Sequence, residues 1–249
     1  MPASATHRLS GQVAVITGGG SGIGAACAIA LSAEGCHVVV TGRRLAPLQE
    51  TASRAVTPGR ITPLTADVSE IASVQQLFQT VASECGPVDL LINNAGINVP
   101  NRAFANHSIE DWGRIMQINA SAAFYCMKQV VPSMRERGGG LIINISSVAG
   151  IRASELGGCA YTASKFAMAA LGRTVELEEQ KHGIRVTSVY PGEVETPILD
   201  HRPQPVSDEH RSRILQPEDV AAAVLMVACL PPRASVPELV IKPASQPLN

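Results

Sequence analysis

No stretch of about 18 uninterrupted apolar residues occurs in the sequence, which argues against a membrane-crossing helix. No C-x-x-C pair occurs either. The cysteines at 27, 36, 85, 126, 159 and 229 are scattered, which argues against a zinc site or a disulfide framework and suits small buried residues in a reducing cytoplasm. Cys159 lies near Tyr161, and packing is the expected role for it. No excess of either charge is present: the formal net charge is −1, so nothing suggests an electrostatic footprint for nucleic acid. The first residues, Met1 to Arg8, have no apolar signal core. They read as part of a flexible arm over residues 1–10. No internal repeat, low-complexity tract or linker divides the chain, so its 249 residues are expected to form one domain, 1–249.

What is present is apolar material, at 45% of residues against 16% charged. That suffices for a core with both faces of a sheet covered. Short apolar runs alternate with helix-length segments, the pattern of repeated βα units on a parallel sheet. Strands are expected at Val13–Thr17, His37–Thr41, Ile61–Thr65, Leu90–Asn93, Leu141–Ser146, Arg185–Tyr190 and Leu239–Ile241. Helices are expected near 22–34, 45–56, 70–84, 108–136, 160–181 and 217–230. Ser69 with Glu70, and Ser108 with Asp111, mark two helix starts. Gly35, Gly138 and Gly183 stand where a helix ends. The fold class is α/β: a doubly wound parallel sheet of seven strands with helices on both faces. Residues 203–212, polar and proline-bearing, read as a mobile loop or a short helical excursion inside a substrate loop at 193–216.

Three clusters carry chemistry. Val13 to Thr17 runs straight into Gly18-Gly19-Gly20-Ser21-Gly22-Ile23-Gly24 and then into a helix. Glycines there allow a tight turn and close approach of a phosphate to backbone N–H groups, and the helix N-terminus favours the anion. The spacing is G-x-x-x-G-x-G, not G-x-G-x-x-G. At the end of the second strand a dinucleotide fold with NAD places an acid on the ribose 2′-hydroxyl. Here stands Thr41-Gly42-Arg43-Arg44. Two guanidinium groups suit a 2′-phosphate and point to NADP(H), with NAD(H) left open. Lastly, Tyr161 and Lys165 stand four apart, so on a helix they share a face. A neighbouring cation favours the phenolate and makes tyrosine a usable acid/base.

Together these residues resemble the classical short-chain dehydrogenase/reductase family, over nearly the whole chain. Thr17, Gly18, Gly20, Ser21, Gly22, Ile23 and Gly24 match its cofactor motif. Asp67-Val68 is similar to its adenine contact, and Asn93-Asn94-Ala95-Gly96 to its N-N-A-G motif, in which Asn94, Ala95 and Gly96 support the cofactor ribose. Asn119, Ser147, Tyr161 and Lys165 match its catalytic set. Pro191-Gly192-Glu193-Val194-Glu195-Thr196 is similar to its P-G segment, in which Pro191, Gly192, Val194 and Thr196 would meet the nicotinamide. Tyr161 and Lys165 would also hold the nicotinamide ribose. Ser147 stands fourteen positions before Tyr161, one more than is usual, so Ser146 remains the lesser candidate. The family's glycine-rich ending is absent. Leu230 to Pro243 instead resembles the endings of NADP-dependent 3-hydroxy acid or serine dehydrogenase-like members.

The resemblance implies an oxidoreductase acting on CH–OH groups, moving a hydride between nicotinamide and the carbon of a secondary alcohol or ketone, with a hydroxy acid or a 3-oxoacyl compound also open. It implies a small-molecule substrate, no metal, no nucleic-acid or membrane partner, and a cytoplasmic homo-oligomer, tetramer or dimer. In that scheme Lys165 lowers the phenol pKa, Ser147 binds the substrate oxygen, and Asn119 completes a water-linked proton relay. Arg102, Arg152, His201 and Arg202 lie in the expected substrate loops; each could clamp a carboxylate, but they are read first as solvated surface residues. Ser154 is read as solvent-facing. Rival readings are a catalytically silent NADP(H)-binding regulator or scaffold, and a nucleotide-sugar epimerase. The intact catalytic set counts against the first; glycine spacing and length count against the second.

Overall fold

The computed structural model describes residues 7–245. Seven parallel strands, β1 (Val13–Thr17), β2 (His37–Gly42), β3 (Ile61–Thr65), β4 (Leu90–Asn93), β5 (Gly140–Ile145), β6 (Ile184–Pro191) and β7 (Glu238–Ile241), lie in the order β3-β2-β1-β4-β5-β6-β7. The order reverses between β1 and β4, so the carboxyl ends of these two strands open a crevice. Alternation along a strand sends successive side chains to opposite faces. Accordingly, Ala14 and Ile16 enter one apolar core while Val13 and Val15 enter another. The first core is closed by helices α1 (Gly22–Ala33) and α8 (Pro217–Ala228), with α2 (Leu45–Ser53) contributing Leu48. The second is closed by α3 (Ile71–Glu84), α5 (Ala122–Glu136) and the inner side of α6 (Cys159–Glu179). Each Val, Leu or Ile buried in this way stabilises the fold by about 1.5–3 kcal/mol.

The expected elements are present, with edges moved by one to three residues. The segment at 108–136 is one helical rod in three pieces: α4 (Ile109–Met116), a π turn at Gln117–Ser121, then α5. Ser108 caps α4, its side chain accepting from the Asp111 N–H at 3.0 Å. Ser69 does not cap α3. Its hydroxyl donates to Asp67 at 2.6 Å, and Glu70 occupies the cap position. The segment 203–212 holds the four-residue helix α7 (Asp208–Arg211).

Of the expected arm at 1–10, residues 1–6 lie outside the described residues. From His7 onward the chain is docked, not loose. Leu9 is buried in the α1/α8 core, its N–H donates to the Glu34 carbonyl at 3.0 Å, and Arg8 pairs with the Glu34 carboxylate at 2.8 Å. The expectation overlooked that one leucine at the edge of an apolar cluster can anchor a polar tail. Among the described residues no helix is long and apolar enough to cross a membrane.

Candidate active site

A cavity of about 750 Å³ follows the carboxyl ends of the strands. At one end the β1–α1 turn supplies Gly18, Gly20, Ser21, Gly22 and Ile23, and the end of β2 supplies Arg43 and Arg44. Asp67 and Val68 line it after β3, and Asn94, Ala95 and Gly96 after β4. Tyr161, Lys165, Ser147 and the segment Pro191, Gly192, Val194 and Thr196 line its far half.

The turn is shaped by steric exclusion. Gly22 has φ +52°, and a Cβ there would stand 2.9 Å from the Thr196 methyl, so the substrate segment lies directly on it. A Cβ on Gly24 would come within 2.5 Å of both the Gly18 carbonyl oxygen and the Asn94 amide nitrogen. That amide donates to the carbonyls of Thr17 at 2.9 Å and Gly18 at 3.1 Å, bracing the turn against β4. Thr17 does the same from the other side, its hydroxyl accepting from the N–H groups of Asn94 and Ala95 at 3.0 Å each. Thr17 and Gly24 thus shape the turn through their backbone contacts. The shelf before the α1 N-terminus fits a phosphate group held by N–H donors.

Along β3 the Asp67 carboxyl is held below its ordinary value, chiefly by the Ser69 hydroxyl and, more weakly, by the charge of Arg43. Arg43 and Arg44 are exposed at the cavity rim. No acidic residue occupies the end of β2.

The reacting end depends on α6. Its first turn brings Tyr161 into hydrogen-bonding reach of Ser147, while Ser146 turns away, its hydroxyl donating to the Lys165 carbonyl at 3.2 Å. The extra residue between serine and tyrosine is accommodated in the turn at 151–158. There Ser154 lines the cavity and accepts from the Gly157 N–H at 3.0 Å, so it is not simply solvent-facing. Lys165 is 3% exposed, and its ammonium donates to the Ile145 carbonyl at 2.9 Å. Burial lowers its pKa to about 8. The Nζ atom stands 5.6 Å from the centroid of the Tyr161 ring. Burial pushes the Tyr161 phenol above its ordinary value; the Ser147 hydrogen bond and the charge of Arg102 pull it back only in part. The charge of Arg102, which sequence reasoning did not bring to this site, also favours the phenolate.

Asn119 sits inside the π turn, fully buried. Its Oδ1 accepts from the Ile97 N–H at 2.8 Å, and its Nδ2 donates to the Ile97 carbonyl and the Ser164 hydroxyl, both at 3.0 Å. The side chain locks the loop after β4 to α6. Gly96 lies between it and Lys165: a Cβ there would stand 3.5 Å from each head group.

Sequence reasoning missed the substrate end most. Arg102 is buried, not solvated, and lines the cavity together with Arg114, His201 and Arg202. Arg202 pairs with Glu193 at 2.8 Å, and His210 also meets Glu193. Burial alone would push the Glu193 carboxyl up, but its bonds from His210 and Arg202 outweigh that and hold it below the usual range. Arg152 is exposed, as expected. Among the described residues no group of three or more His, Cys, Asp or Glu could hold a metal ion, and all six cysteines are free.

A family model described as short chain dehydrogenase matches residues 12–206. Over 246 residues the chain is 34% identical to glycine betaine reductase of Emericella nidulans, covering 96% of this chain but only 19% of that much longer protein. An uncharacterized oxidoreductase of Staphylococcus saprophyticus is 33% identical over 94% of this chain and 98% of its own length. Among solved structures, a closed form of serine dehydrogenase complexed with NADP+ superposes with a TM-score of 0.87 at 28% identity, covering 95% of this chain and 96% of that one.

Proposed function

The chain belongs to the short-chain dehydrogenase family, and on that premise we propose that it is an NADP(H)-dependent oxidoreductase acting on a secondary alcohol or ketone. The observation that carries the reading is the meeting of Tyr161, Ser147 and Lys165 in one cavity with the β1–α1 glycine turn. A nicotinamide, when bound, supplies or accepts the hydride. Tyr161 donates its proton to the carbonyl oxygen in reduction; a phenol kept protonated by burial suits that direction. Ser147 hydrogen-bonds the same oxygen and stabilises the charge that develops on it. Lys165, its ammonium fixed on the Ile145 carbonyl, would hold ribose hydroxyls, and Asn119 holds the π turn beside it, through which a water-linked relay to solvent would pass. Arg43 and Arg44, at a strand end without a carboxylate, would bind a 2′-phosphate; the serine dehydrogenase neighbour carries NADP+.

For substrate, the same neighbour and the resemblance at Leu230 to Pro243 support a hydroxy acid, with a 3-oxoacyl compound also open. Exposed Trp112, Phe124, Phe166 and Leu177 on α4, α5 and α6 support a homo-oligomer, tetramer or dimer, and light scattering reads its size. Six free cysteines suit a cytoplasmic location. The test is an NADP(H)-coupled screen of alcohols, hydroxy acids and carbonyls with purified protein, repeated with Tyr161→Phe. Turnover should fall by about 10²–10⁴-fold, with NADPH affinity held within about twofold. Retained turnover removes Tyr161 from acid/base work. NADPH binding without turnover of any compound favours a silent regulator.

A further inference from the structure

The loop that follows β4 delivers Arg102 to the inside of the molecule, where the residue is 8% exposed. A guanidinium does not give up its charge, so burial requires partners for its N–H groups. None of the ion pairs among the described residues includes Arg102. Its donors go to three main-chain carbonyls: Nε to Val99 at 2.7 Å, Nη1 to Leu156 at 2.9 Å and Nη2 to His201 at 2.8 Å. The last two acceptors are 54 and 99 positions away along the chain. Val99, Leu156 and His201 belong to the three loops that enclose the far half of the cavity. One planar fork therefore ties together segments that no strand or helix joins.

The backbone of the same residue is wedged against the start of α6. Gly158, with φ +77°, precedes that helix, and a Cβ there would stand 2.7 Å from both the Cβ and the carbonyl oxygen of Arg102. Next to it, Asn98 donates to the Gly157 carbonyl at 3.0 Å. Tyr161 lies three residues further along. We propose that Arg102 is a positioning residue with two linked effects: it staples the 193–216 loop to the first turn of the helix bearing Tyr161, and it holds an unneutralised positive charge against the Tyr161 phenol. The placement of the loop and the environment of the phenol then depend on one side chain.

The charged groups around that phenol are few. Lys165 comes from α6 itself, with its ammonium turned to Ile145. Arg102 comes from the loop after β4. Behind Arg102 stand Arg202 and its partner Glu193 from the substrate segment. Ser147, from the loop after β5, contributes a neutral hydrogen bond. Arg102 and the Lys165 ammonium, 5.6 Å from the ring centroid, are the cations here, and the phenol in turn raises the guanidinium's own pKa against the pull of burial and of Arg202.

The inference rests on Tyr161 being the acid/base group, but its test needs neither substrate nor turnover. Ultraviolet difference titration of the phenols, with Tyr161→Phe as the blank for Tyr125 and Tyr190, isolates the ionisation of Tyr161. Arg102→Met should move that ionisation up by about one pH unit, while Arg102→Lys, which keeps the charge, leaves it near the wild-type position. Both variants lose the three-way fork, so protease cleavage within 193–216 should accelerate by about tenfold or more. If Arg102→Met fails to fold, Arg102→Gln removes the same charge with a polar head. An unmoved ionisation in the neutral variant overturns the electrostatic effect; unchanged cleavage in both variants overturns the staple. A wild-type protein that turns nothing over fails the oxidoreductase reading and leaves these two measurements standing.

Discussion

The two ends of the cavity are built from different materials. At the nucleotide end the phosphate shelf is main chain: the β1–α1 turn, held in shape because no side chain fits at Gly22 or Gly24 and because Asn94 and Thr17 bond its backbone. At the substrate end, side chains from segments far apart in sequence line the cavity, among them Arg102 on three carbonyls and Arg202 on Glu193, and further ion pairs, His210 with Glu193 and Arg211 with Glu195 at 2.5 Å and Asp200 at 2.8 Å, tie the same segment together. A main-chain surface presents N–H groups that any phosphate can use. A side-chain surface can be rewritten without disturbing the sheet beneath it. The first kind of end suits a constant ligand, the second a variable one.

The comparison breaks most readily at the turn. Gly24→Val puts atoms where the Gly18 carbonyl and the Asn94 amide already stand. It should abolish measurable NADPH binding by calorimetry and lower stability by about 1–3 kcal/mol in a thermal melt. A valine tolerated there with binding intact would show that the turn is not sterically defined. The rim of the same end should respond more mildly. Arg43→Ala with Arg44→Ala removes two charged donors and no backbone geometry, so KM for NADPH should rise by about 10–100-fold. KM for NADH should stay within about twofold, because no 2′-phosphate is present to lose its partners. Equal effects on both cofactors would remove the 2′-phosphate from the argument.

The same contrast explains what the sequence could tell. β1 was readable to the residue, because Val13 to Ile16 is an unbroken apolar run leading through Thr17 to glycines, and Ser108 announced its helix through a local hydrogen bond to Asp111. Local signals fail where an alternative partner sits nearby. Ser69 resembles a cap but is drawn to Asp67, and the π turn at Gln117–Ser121 leaves the apolar pattern of its rod intact. They fail completely for Arg102. An arginine in a polar loop looks solvated, and its burial is decided by Leu156 and His201, which arrive from elsewhere in the chain. Lys165 shows the converse: spacing placed it beside Tyr161, yet only the fold reveals that its ammonium is turned to Ile145.

The smallest expected effect is in the ion pairs of the substrate segment, and its sign is fixed by Glu193. Its carboxyl is held below the ordinary range in the folded loop, where burial is outweighed by the bonds from His210 and Arg202. A carboxylate with a depressed pKa adds stability that is present above its unfolded value and is lost as pH falls through the folded one. The window therefore lies on the acid side, below about pH 4. With His210 half exposed and Arg202 less so, the contribution should be about 1 kcal/mol or less. Amide hydrogen exchange across 193–216, corrected for the intrinsic rate, should show the loop opening more often as pH drops through that window. Glu193→Gln should flatten the dependence and leave the exchange of β1 and α1 unchanged. If β1 and the loop open together in the acid, the two ends of the cavity form one cooperative unit, and the distinction between a main-chain end and a side-chain end has no energetic counterpart.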